Sequence, residues 1–182
     1  MITNVTLSTK ERYLLEDQKT HEEQCIVKYE YYSNLATDPE LKSIFKNLGQ
    51  NEREHLQTIN QLLSGQIPSV SGQSGSGSQQ QGSQQQSSQQ QNQQQNRQDN
   101  VVPVMQHVSS VQSAKGGLNI TDKDMCIDML STEKYVSGTY DTAIFEFKDP
   151  RIRDVLNHIQ KEEQKHGETL FTYMQSKGMY NA

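Results

Sequence analysis

The stretch from Glu22 to Thr58 recurs 111 positions further along the chain without insertion or deletion. Glu22 falls on Glu133, Tyr29 on Tyr140, Asp38-Pro39 on Asp149-Pro150, Glu52 on Glu163, His55 on His166 and Thr58 on Thr169. Between these identities apolar residues meet apolar residues, with Leu41, Ile44 and Phe45 over Ile152, Val155 and Leu156. Self-similarity at a fixed offset means one supersecondary unit used twice. The fold therefore has to be two copies of one structure packed together.

The unit reads as a helical hairpin. Ser8 and Glu11 have capping-box spacing, which predicts a helix from about Thr9. Leu15, Glu22, Cys25, Ile26, Tyr29 and Ala36 then mark one face at helical spacing. Asp38-Pro39 ends this helix and starts the next, with Asp38 as N-cap and Pro39 in the first helical position. The second helix carries Leu41, Ile44, Phe45, Leu48, Glu52, His55, Leu56, Ile59, Leu62 and Leu63, and stops at Ser64-Gly65. With almost no loop between them the two helices must run antiparallel. A third helix is predicted from near Thr121, presenting Cys126, Met129, Glu133, Val136, Tyr140, Ala143 and Phe147 on one face. The fourth follows Asp149-Pro150 and ends at Lys177-Gly178.

The two hairpins, residues 8–64 and 121–178, are separated by a very different stretch, 65–120. From Gly72 to Asn100 it consists almost wholly of Gly, Ser, Gln and Asn. Such a composition buries too little apolar surface to offset its ordering entropy, so a disordered linker is expected. Val101 to Val111 regains Val and Met without a clean period. The tract accounts for most of the apolar deficit, since only 31% of the chain is hydrophobic, against a norm of roughly 45–50% with Gly counted in.

Other classes are excluded quickly. The net charge is -5 and the basic residues are scattered, which gives no footprint for nucleic acid. No run of about 18 apolar residues is available to span a membrane. Met1 to Lys10 lacks the apolar core of a secretory signal, so export by that route is not expected. Two cysteines, Cys25 and Cys126, make neither a disulfide framework nor a zinc spacing, and are expected as buried thiols.

Glu52-x-x-His55 and Glu163-x-x-His166 carry the chemistry. A Glu and a His three residues apart on a helix leave the same face and can grip one metal with an oxygen and a nitrogen. Charges on helices ordinarily form solvated faces, but these interrupt the core stripe, between Leu48 and Ile59 and between Ile159 and Leu170. Measured from Asp38 at ~1.5 Å per residue, Glu22, Glu52 and His55 stand at heights of roughly 24, 21 and 26 Å. The spacing repeats from Asp149 to Glu133, Glu163 and His166. Packed face to face, the hairpins bring four Glu and two His to one level. Four buried carboxylates are prohibitive without compensation. Two divalent cations neutralise them and accept neutral imidazoles as ligands.

One Glu from each of two helices plus E-x-x-H from each of the other two is the di-iron or di-manganese carboxylate pattern of ferritin-like four-helix bundles. The expected fold class is therefore all-α: a ferritin-like bundle of two antiparallel hairpins joined by a long Gln-rich crossover. Glu22, Glu52 and His55 would serve one half of the site, and Glu133, Glu163 and His166 the other, with the bridging carboxylates left open. Tyr29 and Tyr140, two turns from Glu22 and Glu133, suit hydrogen bonding to ligand carboxylates. The 57 residues from Ser64 to Ile120 span roughly 40 Å as a flexible chain, enough to cross the bundle's length. Exchange of hairpins between two chains, giving a homo-oligomer, is equally open.

Finally, "STEKY", "DPRIRDVLNHIQKEEQKHGE" and "KGMYN" strongly resemble the Coat F family, the ferritin-like spore coat proteins of endospore-forming Firmicutes. A looser likeness extends over "LLEDQKTHEEQCIVKYEYYSNLATDPELKSIF", leaving out the Gln tract. The resemblance implies synthesis in the mother-cell cytoplasm, a place in the spore coat among other coat proteins, and a structural or protective role. Ferritin-like relatives such as rubrerythrins use a similar ligand set for peroxide or oxygen chemistry, so a protective peroxidase or catalase is the alternative. The chain lacks the paired C-x-x-C motifs of rubrerythrin, and unlike manganese catalase it keeps E-x-x-H in its second half.

Overall fold

The computed structural model describes residues 4–68 and 120–180. They form four helices: α1 (Thr9–Leu35), α2 (Pro39–Leu63), α3 (Asp122–Ile144) and α4 (Pro150–Ser176). No strand occurs among the described residues. The expected linker falls outside them except for its ends, and so does the stretch Val101 to Val111.

The helix boundaries follow local chemistry. Ser8 Oγ accepts from the Glu11 N–H while Glu11 Oε2 accepts from the Ser8 N–H, the reciprocal capping box. Thr121 and Asp124 repeat that device at the start of α3. Asp38 and Asp149 cap α2 and α4, each followed by proline in the first turn. Gly65, at φ 82°, takes the left-handed conformation that closes α2, and its carbonyl accepts from the Val5 N–H at 2.8 Å. One boundary differs from the expectation: α3 ends at Ile144, so Phe147 lies beyond the helix. Tight backbone bonds from Glu146 to Ala143 and from Phe147 to Ile144 turn the chain there, and Phe147 is still buried.

Burial on α1 steps through residues 11, 15, 18, 22, 25 and 29, and on α2 through 41, 45, 48, 52, 55, 59 and 62. Alternating steps of four and three give the narrow seam of a left-handed bundle. On α1 the seam is partly polar, since Glu11 and Gln18 are buried in it while Ile26 is only half-buried. Each polar member has a partner: Glu11 Oε1 accepts from the Lys148 N–H, and Gln18 Oε1 from Thr139 Oγ1.

Cross-hairpin ties fix the orientation. Thr37 bonds Asp122, Lys28 pairs with Asp128 at 2.7 Å, and Glu11 meets Lys148, so α1 and α3 run antiparallel. Lys177 pairs with Asp38 and Glu40 at one end of α2, while His55 meets Glu162 further along, so α2 and α4 run antiparallel too. Two apolar clusters fill the interior. One is built on Leu15, Ile59, Val136 and Ile159, the other on Phe45, Met129, Leu170 and Met174.

Candidate metal centre

Six charged or polar residues occupy the bundle interior at mid-length: Glu22 on α1, Glu52 and His55 on α2, Glu133 on α3, Glu163 and His166 on α4. None is more than 3% exposed. They are brought together because each E-x-x-H lies on the seam of its helix and α2 packs against α4. The closest imidazole contacts cross between hairpins. His55 Nδ1 lies 2.9 Å from Glu163 Oε1, and His166 Nδ1 lies 2.8 Å from Glu52 Oε1. Each His is further from the Glu of its own motif, at 3.5 Å for His55 with Glu52 and 3.7 Å for His166 with Glu163. The two rings are stacked at 5.5 Å.

Among the described residues two groups of potential ligands can be drawn, each with donor atoms within 4.8 Å of one another. One is Glu22, Glu52, His55 and Glu163; the other is Glu52, Glu133, Glu163 and His166. Glu52 and Glu163 belong to both. Each group keeps the three residues of one hairpin expected from the sequence and adds the motif carboxylate of the other.

Hydrogen bonding sorts the atoms into an outer and an inner set. Outward, Tyr140 donates to Glu22 Oε1 and Tyr29 donates to Glu133 Oε1. His55 Nε2 meets Glu162 Oε2 at 3.0 Å, and His166 Nε2 meets Asn51 Nδ2 at 3.2 Å. Inward, eight buried atoms have no hydrogen-bond partner: one oxygen each of Glu22 and Glu133, both oxygens of Glu52 and Glu163, and Nδ1 of both imidazoles. The short imidazole–carboxylate distances therefore lack hydrogen-bond alignment. Buried polar atoms in native proteins are nearly always paired. A cluster of unpaired donors is what a cation site looks like before the cation is counted.

The titration of the cluster follows from its crowding. Burial raises Glu22 to about 8 against the pull of His55, and raises Glu133 well above the carboxylate range. Burial also opposes ionisation of Glu52 and Glu163, but the imidazoles outweigh it and hold both low. Burial pulls both imidazoles down, but Glu133, Glu163 and Glu52 overcome it at His166, lifting it to about 11, and Glu162, Glu163, Glu22 and Glu52 lift His55 well above its ordinary value. Cys25 and Cys126 are free and buried, as expected. Burial, with the neighbouring carboxylates Glu52 and Glu133, pushes the Cys25 thiol far up and keeps it protonated.

Asn51 and Glu162 escaped the sequence reading. They sit one residue before each motif Glu, off the seam, where polar residues are ordinary. Their signal was their shared place in the repeat, which becomes meaningful only once α2 is known to lie beside α4.

Residues 121–182, covering α3 and α4, match the family model described as the Coat F domain. A search of curated proteins finds no match. Among solved structures, the chain is similar to a two-domain protein from Anabaena variabilis containing DJ-1/ThiJ/PfpI-like and ferritin-like domains. The identity is 14% and the TM-score 0.59, over 96% of this chain and 39% of that one. At that identity the likeness establishes the fold, a ferritin-like bundle. The chain spans about two fifths of that protein's length.

Proposed function

We propose that this chain, whose second hairpin matches the Coat F domain, is a spore coat protein of structural and protective role whose bundle holds two divalent cations, iron or manganese. The observation that carries the metal reading is the set of eight unpaired inward atoms. They comprise four carboxylate-and-imidazole donors for each of two cations, the softness and charge that suit iron or manganese. Glu22 and His55 would hold one ion, Glu133 and His166 the other, and Glu52 and Glu163, with both oxygens free, would lie between them. Tyr29 and Tyr140 would orient the terminal carboxylates, and Glu162 and Asn51 the imidazoles.

The benefit of such a site to a coat protein is mechanical. Bound ions replace protons in the cluster and tie all four helices to one point, so that metal binding becomes folding free energy. Partners are other coat proteins, and the Gln tract would offer amides for cross-linking to lysines.

A second reading has one observation in its favour. Each group supplies four residues, fewer donors than the roughly six of octahedral manganese sites. An open position is what a catalytic metal needs, and bound iron or manganese would supply redox chemistry toward peroxide. The experiment that separates the readings is addition of hydrogen peroxide to the metal-loaded protein, with fractionation of spores in parallel. Recovery from the coat fraction with no peroxide turnover supports the structural role. Turnover that vanishes in Glu52→Ala would replace it with the oxidoreductase reading.

A further inference from the structure

The repeat makes the two halves of the centre alike in their ligands and unlike in what stands behind them. Asn51 and Glu162 occupy the same place in the repeat, one residue before Glu52 and Glu163. Each approaches the outward nitrogen of the opposite hairpin's imidazole. His55 Nε2 faces a carboxylate oxygen of Glu162 at 3.0 Å, whereas His166 Nε2 faces the carboxamide nitrogen of Asn51 at 3.2 Å. The difference extends outward. The other oxygen of Glu162 lies 3.5 Å from Nε2 of His158, one turn earlier on α4. The counterpart of His158 in the first half is Asn47. Glu162 is half-buried and anchored from two sides, and Asn51 is exposed.

A cation on Nδ1 obliges Nε2 to carry the ring hydrogen. Behind His55 that hydrogen meets a carboxylate, and such a charge-assisted bond is roughly twice as strong as a neutral one. It also makes the imidazole a better donor to the metal. Behind His166 the carboxamide can accept only as a neutral group, and only with Oδ1 turned toward the ring in place of Nδ2.

We propose that the centre is built unequal: the position held by His55 and Glu22 takes the first cation, the position held by His166 and Glu133 takes the second, and Glu162 is the positioning residue that sets this order. The inference rests on the metal reading above and goes further, since that reading is indifferent to which position fills first.

The test is an equilibrium titration of the metal-free full chain with Co2+, read by visible absorption against a competing chelator. Wild type is expected to bind in two resolved steps, separated by about 10–100-fold, the range typical of an imidazole's hydrogen-bond partner. Glu162→Gln is expected to weaken the first step by that factor and merge the two. Asn51→Asp is expected to tighten the second step, a gain that damage to the fold cannot mimic. His166→Ala should keep the tighter step and His55→Ala only the weaker. Two equal steps in wild type, or a separation unchanged in both Glu162→Gln and Asn51→Asp, overturns the inference and leaves the metal centre standing. Absence of any Co2+ binding by a helical wild-type chain overturns the metal reading, and the inference with it.

Discussion

Tyr140 on α3 donates its phenolic hydrogen to Glu22 on α1, and neither side chain is reached by solvent. Tyr29 does the same for Glu133 in the opposite direction, so each hairpin satisfies the terminal carboxylate of the other. The bonds point away from the unpaired oxygens. They fix the carboxylates without consuming the atoms that face the centre.

Removing one such donor leaves a buried acceptor unsatisfied, at a cost of about 1–3 kcal/mol. Tyr140→Phe is therefore expected to lower the stability of the metal-free protein by that amount, measured by urea denaturation in the presence of a chelator. An unchanged midpoint would mean that Glu22 finds another donor.

α1 packs tightly on α2 at Gly49, where a Cβ would stand 2.9 Å from the Cβ of Tyr29. That atom cannot swing aside without moving its backbone. Gly49→Ala is expected to destabilise by about 1–3 kcal/mol through overpacking, in spite of its better helix propensity. Gly138, exposed on α3, would meet nothing within 4 Å. There Gly138→Ala should stabilise by about 1 kcal/mol. Thermal melts of the two variants should shift in opposite directions.

The cap at Asp38 also reports on pH. The Lys177 ammonium and the Glu40 N–H hold its carboxyl down to about 2. A depressed folded value means that the group's contribution is present above the unfolded value of about 3.9 and is lost as pH falls toward the folded one. Asp38→Asn keeps a capping oxygen and removes the charge. The difference in melting temperature between wild type and this variant should be constant near neutrality and shrink between about pH 4 and pH 2.

Metal loading should release protons. Neighbouring carboxylates raise His55 and His166, and burial raises Glu22 and Glu133, which favours the protonated form of each. These groups must give up protons to act as ligands. Calorimetry in buffers of different ionisation enthalpy should show net proton release on binding, with apparent affinity rising as pH rises. Release of none would mean that the cations bind elsewhere.

Much of this was legible in the chain. The offset of 111 residues, the Asp-Pro boundaries and the seam position of Glu52 and His55 are local or periodic properties, and they located the hairpins and the six converging residues. The sharing of Glu52 and Glu163 was not legible, because it depends on α2 lying beside α4 and not only on heights along each hairpin. Glu11 and Gln18 were missed for another reason. Periodicity counts apolar residues, and these two fill seam positions as polar groups whose partners, Lys148 and Thr139, lie on the other hairpin.

If the unpaired interior atoms exist to hold cations, the protein must carry metal in a fixed ratio to the chain. The protein, unfolded with chelator, refolded with excess Fe2+ or Mn2+ and desalted, should carry two ions per chain by elemental analysis, one for each group of donors. Glu52→Ala combined with Glu163→Ala should carry essentially none. A wild-type chain that refolds to full helicity and retains no metal would contradict the claim.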